Sequence, residues 1–223
     1  MKNDNWIYQI PNSPKFKKHS QTGEEGYLKF ILDNVGYNNK FLVDIGAWDG
    51  FHLSNTRYFI EEHGYNHLLV DGDNRGNPDV KQEWITKDNV CEIMKKYNCP
   101  KEFSLLSYDT DGNDFDIIHA LCSEYKPDVI VCEINGTIPA GISKKIEYNP
   151  NHTWNNDDYY GFSYSASLKL AEMIGYKVVF QNDALNVYMI RKELMANPNM
   201  DIPIYFQHNQ YHPHNSVGKW LEV

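Results

Sequence analysis

The sequence predicts an α/β protein: a Rossmann-like doubly wound sheet of about seven strands, mostly parallel, with an antiparallel strand in a C-terminal hairpin. Three observations carry this reading. Short apolar runs alternate along the chain with stretches of helical periodicity. The run Phe41-Leu-Val-Asp-Ile-Gly-Ala-Trp-Asp-Gly50 passes directly from strand-forming residues into a glycine turn, as a buried parallel strand does. A second run, Asn66-His-Leu-Leu-Val-Asp71, again ends on a carboxylate.

The elements follow in order. Residues 22–35 place Tyr27, Phe30 and Ile31 on one helical face ahead of the first strand at 41–46. Further strands are expected at 67–71 and 83–86. Residues 88–97 carry Val90, Ile93, Met94 and Tyr97 at helical spacing. A fourth strand runs over 103–109, residues 117–125 lie in the next helix, and a fifth strand, entered through Pro127, covers 129–133. Residues 163–174 read as a helix closed by Gly175. Residues 176–181 and 186–191 form a hairpin across Asn182-Asp-Ala-Leu185. The chain is one domain, 1–223: an N-terminal helix at 18–35, a ligand-binding core at 41–135, a long polar loop at 136–161 and a tail at 196–223. The loop, with Pro139, Gly141 and Pro150, follows a strand end on the ligand side and reads as a substrate lid.

Composition narrows the function. The 223 residues suffice for a single large core. Thirty acids against 21 bases give a net charge of −9, which opposes nucleic acid or an anionic membrane as the main partner. Cys91, Cys99, Cys122 and Cys132 show no C-x-x-C spacing, and Cys132 reads as a buried free thiol. The polar start Met1-Lys-Asn-Asp-Asn5 lacks a signal core and no apolar run is long enough to span a bilayer, so a cytoplasmic, reducing location is expected. The oligomeric state stays open, a homodimer included. In the tail, His208, His212 and His214 suggest a metal, but Pro213 spoils their spacing and a surface tail is the preferred reading.

The chemistry gathers at strand ends. Gly46-x-x-x-Gly50 is neither a dinucleotide fingerprint nor a nucleotide-triphosphate loop, yet it frees the backbone for close approach to a ligand. Asp71 stands where an acid accepts hydrogen bonds from ribose hydroxyls; Asp73 reads as a turn residue. Ser107-Tyr-Asp109-Thr-Asp111-Gly-Asn-Asp114 ends the fourth strand, and Cys132-Glu133-Ile-Asn135 ends the fifth. Adjacent strands lie about 4.8 Å apart, so these groups converge. Like charges so close call for a cation, and Mg²⁺ suits the oxygens of Asp109, Glu133 and Asn135. The glycine falls at the wrong place for an EF-hand. Asp114 reads as a cap for the following helix.

Taken together, these motifs resemble the FkbM-type branch of S-adenosylmethionine-dependent methyltransferases. The resemblance covers roughly residues 18–195. It rests on Ser20-Gln-Thr-Gly-Glu-Glu-Gly26, Asp44-Ile-Gly-Ala-Trp-Asp-Gly50 with His52-Leu-Ser-Asn-Thr56, and Leu68-Leu-Val-Asp-Gly-Asp73. Further parts are Leu105 to Asp114, Val131-Cys-Glu-Ile-Asn135, Gly161-Phe-Ser163 and Gly175-Tyr-Lys-Val178. The chain departs in carrying Asp71 where Glu is usual and Tyr108 where an aliphatic is usual. The resemblance implies S-adenosylmethionine as cofactor, held by Gln21, Asp44, Gly46, Ala47, Asp49, Gly50, Ser54, Asp71, Thr86 and Asp109. It implies methyl transfer to a hydroxyl of a sugar or oligosaccharide. A neutral hydroxyl needs help from a base or a metal. By similarity to metal-dependent sugar and catechol O-methyltransferases, Asp109, Glu133 and Asn135 would hold Mg²⁺, with Asp111 as base and His52 as the alternative base. Trp154, Tyr159 and Tyr160 of the lid offer aromatic faces to the acceptor. Two rivals are weighed against this: a nicotinamide-dependent oxidoreductase, which lacks its third glycine here, and a non-catalytic methyltransferase-like subunit, which need not keep these polar groups.

Overall fold

The computed structural model describes residues 3–37, 39–183, 185–203, 206, 208, 212–213 and 217–223. A 3-10 helix, Asn5–Asn12, lays Ile7 and Ile10 on the first α-helix, α1 (Glu24–Val35). There follow β1 (Phe41–Ile45), α2 (Arg57–His63), β2 (Asn66–Asp71), β3 (Val80–Gln82) and α3 (Val90–Lys96). Next come β4 (Glu102–Tyr108), α4 (Asp114–Glu124), β5 (Lys126–Glu133) and β6 (Lys144–Ile146). The chain continues with α5 (Tyr164–Ile174), β7 (Tyr176–Asn182), β8 (Asn186–Arg191), a 3-10 turn at Lys192–Leu194 and β9 (Trp220–Glu222).

Seven strands form one sheet in the order β3-β2-β1-β4-β5-β8-β7. All pairings from β3 to β5 are parallel, and β8 runs antiparallel between β5 and β7. This is the doubly wound arrangement with a C-terminal antiparallel hairpin strand that the sequence predicts. The period-2 alternation of the strands separates two cores. Val43, Leu68, Val70, Leu106 and Ile130 face α3, α4 and α5, while Leu42, Leu69, Leu105 and Val129 face α1, α2 and the N-terminal 3-10 helix. Arg191 joins three strands on the far side, donating to Asp128 at 3.0 Å and to Glu102 at 2.8 Å.

The winding of the sheet reverses between β1 and β4: the chain builds outward through β2 and β3 on one side and through β5 on the other. The carboxyl ends of strands at such a switch point leave a crevice that their loops cannot fill. Asp44 and Ile45 pair with Leu69 and Val70 on one side and with Ser107 and Tyr108 on the other, which fixes the depth of that crevice.

Three expectations need correction. The third strand lies at 80–82 rather than 83–86, because Val80 is the buried residue that pairs with Leu69, and Trp84 is already 51% exposed beyond the pairing. The lid is not an irregular loop: its residues 144–146 pair antiparallel with β9, so the tail contributes a strand where a loose segment was expected. Both strands are only three residues long and too short to show a period. Asp114 does not cap the helix N-terminus. It is the first helical residue, and its side chain accepts from Thr110 and from the Gly112 amide instead.

Candidate functional site

The crevice holds a cavity of about 890 Å³ walled by the ends of β1, β2 and β4, the loop after β3, and the lid. Gly46 sets its floor. Its φ is +84°, and a Cβ there would stand 1.5 Å from the carbonyl oxygen of Asp109. The glycine is therefore required by the neighbouring strand end, which packs backbone on backbone, and not by a ligand alone. The Gly46 and Ala47 amides both donate to the Val70 carbonyl, at 2.9 and 3.1 Å. The Asp109 amide donates to Ile45 at 2.9 Å, so the ends of β1, β2 and β4 are tied together.

Asp71 closes β2 with its carboxylate in the cavity wall. One oxygen accepts the Trp48 amide at 2.7 Å and the other the Asp73 amide at 2.9 Å. Each oxygen keeps a lone pair for a ligand hydroxyl. Asp44 lies deeper. It accepts from Thr56 at 2.6 Å and from Ser54 at 3.5 Å, and burial raises its carboxyl to about 6 against those hydrogen bonds.

Asp109 and Asp111, from the loop after β4, meet Glu133 at the end of β5. One oxygen of each lies within 4.8 Å of the others, the one such group of potential metal ligands among the described residues. Asp109 is exposed as a residue and Asp111 and Glu133 are half-buried, yet the protein crowding their carboxyl groups raises all three by desolvation; Asp111 is pushed up to about 8, with Asp109 and Asp114 repelling its charge. The three cannot all be ionised near neutrality without a cation. Asn135 does not join them. Its amide donates to the carbonyls of Asp158 and Tyr160 at 2.9 and 3.0 Å, and its oxygen accepts from Thr137, so it fastens the lid instead.

The other expected site residues divide in two. Asp44, Gly46, Ala47, His52, Ser54, Asp71, Asp109, Asp111 and Trp154 line the cavity. Gln21, Asp49, Gly50, Thr86, Glu133, Tyr159 and Tyr160 are outside its lining. Asp49 turns its carboxylate onto the Phe51 and His52 amides at 2.8 and 2.7 Å and so holds the loop after the glycine turn. Gly50, at φ +76°, packs under Val80. Thr86 belongs to the turn before α3, its amide donating to Asn89 at 2.7 Å. Tyr160 is buried in the core. The Tyr159 hydroxyl donates to the Lys219 carbonyl at 2.7 Å, and its ring packs on Trp220 at 5.3 Å, so it anchors the tail strand. His208 is engaged with the Thr137 carbonyl at 2.9 Å and His212 lies 4.7 Å from the Trp154 ring; His214 lies outside the described residues.

The lid is stapled over the site. Trp84 donates to the Pro150 carbonyl at 2.7 Å, Asn113 and Asn149 exchange bonds of 2.7 and 3.0 Å, and the Gly161 amide reaches the Gly112 carbonyl at 3.0 Å. It contributes Pro150, His152, Trp154 and Asn156 to the cavity. Sequence reasoning missed Arg75, Trp84, His152 and Asn156. One structural signal marks two of them, Arg75 and Asn156. Of the seven non-glycine residues with left-handed backbone among those described, five line this cavity: Trp48, Leu53, Arg75, Asp111 and Asn156. Strained backbone collects at ligand sites. In the sequence, only the Asn155-Asn156 pair hints at it.

No protein-family model matches the chain, and no curated protein matches it. Among solved structures, the chain is similar to the CMeT domain of the citrinin polyketide synthase, at 9% identity and a TM-score of 0.42, over 74% of this chain and 50% of that one. It is also similar to a SAM-dependent methyltransferase from Aquifex aeolicus (11% identity, TM-score 0.40, 74% of this chain and 89% of that one). A third is the glycopeptide N-methyltransferase MtfA in complex with S-adenosyl-L-homocysteine (7%, 0.40, 86% and 99%).

Proposed function

We propose that the chain is an S-adenosylmethionine-dependent O-methyltransferase of the FkbM type, acting on a hydroxyl of a sugar or oligosaccharide. The observation that carries the reading is the cavity at the switch point. It places the Gly46–Trp48 turn and the Asp71 carboxylate on one wall and the carboxylates of Asp109 and Asp111 on another. The first pair fits a nucleoside: Asp71 offers two acceptor oxygens to ribose hydroxyls, and the turn brings backbone close to the rest. The second fits an acceptor whose proton must leave. When bound, S-adenosylmethionine would supply an electrophilic methyl group on a sulfonium.

On the acceptor side, Asp111 takes the proton of the hydroxyl, its raised affinity for protons near the value useful for a base at neutral pH. Desolvation sets that affinity, the charges of Asp109 and Asp114 raise it further, and a hydrogen bond with Glu133 lowers it. The carboxylate cluster suits Mg²⁺: hard oxygens that repel one another as anions when no cation lies between them. Asp109 and Glu133 would hold the ion, which would lower the pKa of the acceptor hydroxyl and leave Asp111 to take its proton. Asn135, given to the lid, is left out of that set. Trp154 presents its ring to the acceptor, and the stapled lid excludes water. His52, with a side chain 72% exposed and 3.6 Å from Asp49, sits at the rim as the second candidate base.

The test is a methyl-transfer screen over deoxysugars and oligosaccharides, with Mg²⁺ and with EDTA. Transfer to a hydroxyl that depends on Asp111 supports the reading. Transfer only to nitrogen, or none with cofactor demonstrably bound, overturns it.

A further inference from the structure

Glu25, in the first turn of α1, is fully buried and pairs with no cationic side chain among the described residues. A buried carboxylate without a cation is expensive unless several donors serve it. Those donors do not come from its own helix. One oxygen accepts the amides of Lys18 at 3.1 Å, His19 at 2.6 Å and Ser20 at 2.8 Å, and the other accepts the Ser20 hydroxyl. Three successive amides converging on one oxygen fix the path of residues 18–20. Ser20, itself fully buried, then pairs with Leu53 as a short parallel bridge.

Leu53 is where this fixed segment meets the cavity. Its φ is +54°, a conformation a leucine adopts only when its surroundings impose it. Leu53 and Ser54 both line the cavity. The Ser54 hydroxyl accepts the amides of Thr56 and Arg57 at 3.2 and 3.0 Å and lies 3.5 Å from Asp44. Lys18 and His19 also touch Glu61 of α2, at 3.3 and 3.0 Å, but that pairing is solvent-exposed.

We infer that Glu25 is a positioning residue for the cofactor wall: by clamping residues 18–20 it holds Leu53 in its left-handed conformation and so places the Leu53–Ser54 segment. The cofactor part of this inference rests on the function proposed above; the clamp itself does not. The experiment therefore has two arms, hydrogen exchange at residues 51–56 and calorimetric affinity for S-adenosylhomocysteine. In Glu25→Ala, exchange at 51–56 rises at least tenfold and affinity falls about tenfold, while turnover at saturating cofactor stays within twofold. Glu25→Gln keeps an oxygen for the amides and recovers affinity to within threefold of wild type. Glu62→Ala, which removes only an exposed contact to Lys18, leaves both readouts within twofold. Should Glu25→Ala fail to fold, Ser20→Ala decides: exchange at 51–56 rises at least threefold. Wild-type exchange at 51–56 in a folded Glu25→Ala or Ser20→Ala protein overturns the clamp. Faster exchange with unchanged affinity overturns the link to the cofactor. If wild type itself binds no S-adenosylhomocysteine, the proposed function fails while the exchange arm still judges the clamp.

Discussion

Replacing Gly46 by Ala sets a single methyl group against the joint on which the cavity is built. The new Cβ would stand 1.5 Å from the Asp109 carbonyl oxygen and 2.6 Å from its carbon, at a φ of +84°. Carbon and oxygen approach no closer than about 3.3 Å even in favourable contacts, so β1 and β4 must separate by well over an ångström. Left-handed backbone costs alanine about 1–2 kcal/mol. Overpacking adds about 1–3 kcal/mol, and the strained Asp109–Ile45 bond about 1 more. A loss of about 3–6 kcal/mol is therefore expected, a large part of the about 5–15 kcal/mol that holds a domain together. Gly64 is the control: its φ is +64° and an added Cβ meets nothing within 4 Å, so Gly64→Ala should lose only the backbone cost of about 1–2 kcal/mol. Urea denaturation with a common slope measures both. Equal midpoints for the two variants would refute the packing argument and leave Gly46 as a residue needed only for its backbone angle.

Four further outcomes are expected. Asp71→Ala removes the acceptor for ribose hydroxyls and for the Trp48 amide, so affinity for S-adenosylhomocysteine should fall at least about tenfold by calorimetry. Asp44 has a folded pKa of about 6, raised by burial, so its contribution to stability is full below the unfolded value near 4 and is lost as pH rises through about 6. Stability should accordingly drop by about 2–3 kcal/mol between pH 4 and 7, and Asp44→Asn should flatten that slope in pH-dependent urea melts. Asp111→Asn should bind cofactor normally yet lose about 10²–10⁴ in kcat, while EDTA abolishes turnover and added Mg²⁺ restores it. Tyr159→Phe should weaken the fold by about 1–2 kcal/mol through its lost bond to the tail and leave the acceptor KM within twofold, whereas Trp154→Ala should raise that KM.

What could be read in the sequence and what could not follow from range. The strands β1, β2, β4 and β5 are buried on both faces, so their apolar runs stand out and their terminal acids can be located to the residue. Asp71 and the trio's Asp109 and Glu133 were legible for that reason. β3 was misplaced because a three-residue edge strand has one buried residue, Val80, and no pattern. Asn135 was misassigned because an amide at a strand end serves a metal or a loop equally well, and only the lid's path shows that the carbonyls of Asp158 and Tyr160 claim it. Tyr159 looked like an acceptor contact because its partner lies 60 positions away in the tail. The clamp of Glu25 on residues 18–20 was hidden for the opposite reason. An acid in a first helical turn is so ordinary a sight that nothing marks this one as buried.

The measurement that bears most directly on the account is a calorimetric titration of the wild-type protein with S-adenosylhomocysteine and, separately, with NAD⁺. One molecule of S-adenosylhomocysteine should bind per chain, with NAD⁺ giving no heat beyond dilution. The Asp71→Ala protein should lose that binding while its unfolding midpoint shows that it is still folded. Saturable binding of NAD⁺, or no binding of S-adenosylhomocysteine to a folded wild-type protein, would contradict the claim that the Gly46 turn and Asp71 form a methyltransferase cofactor site.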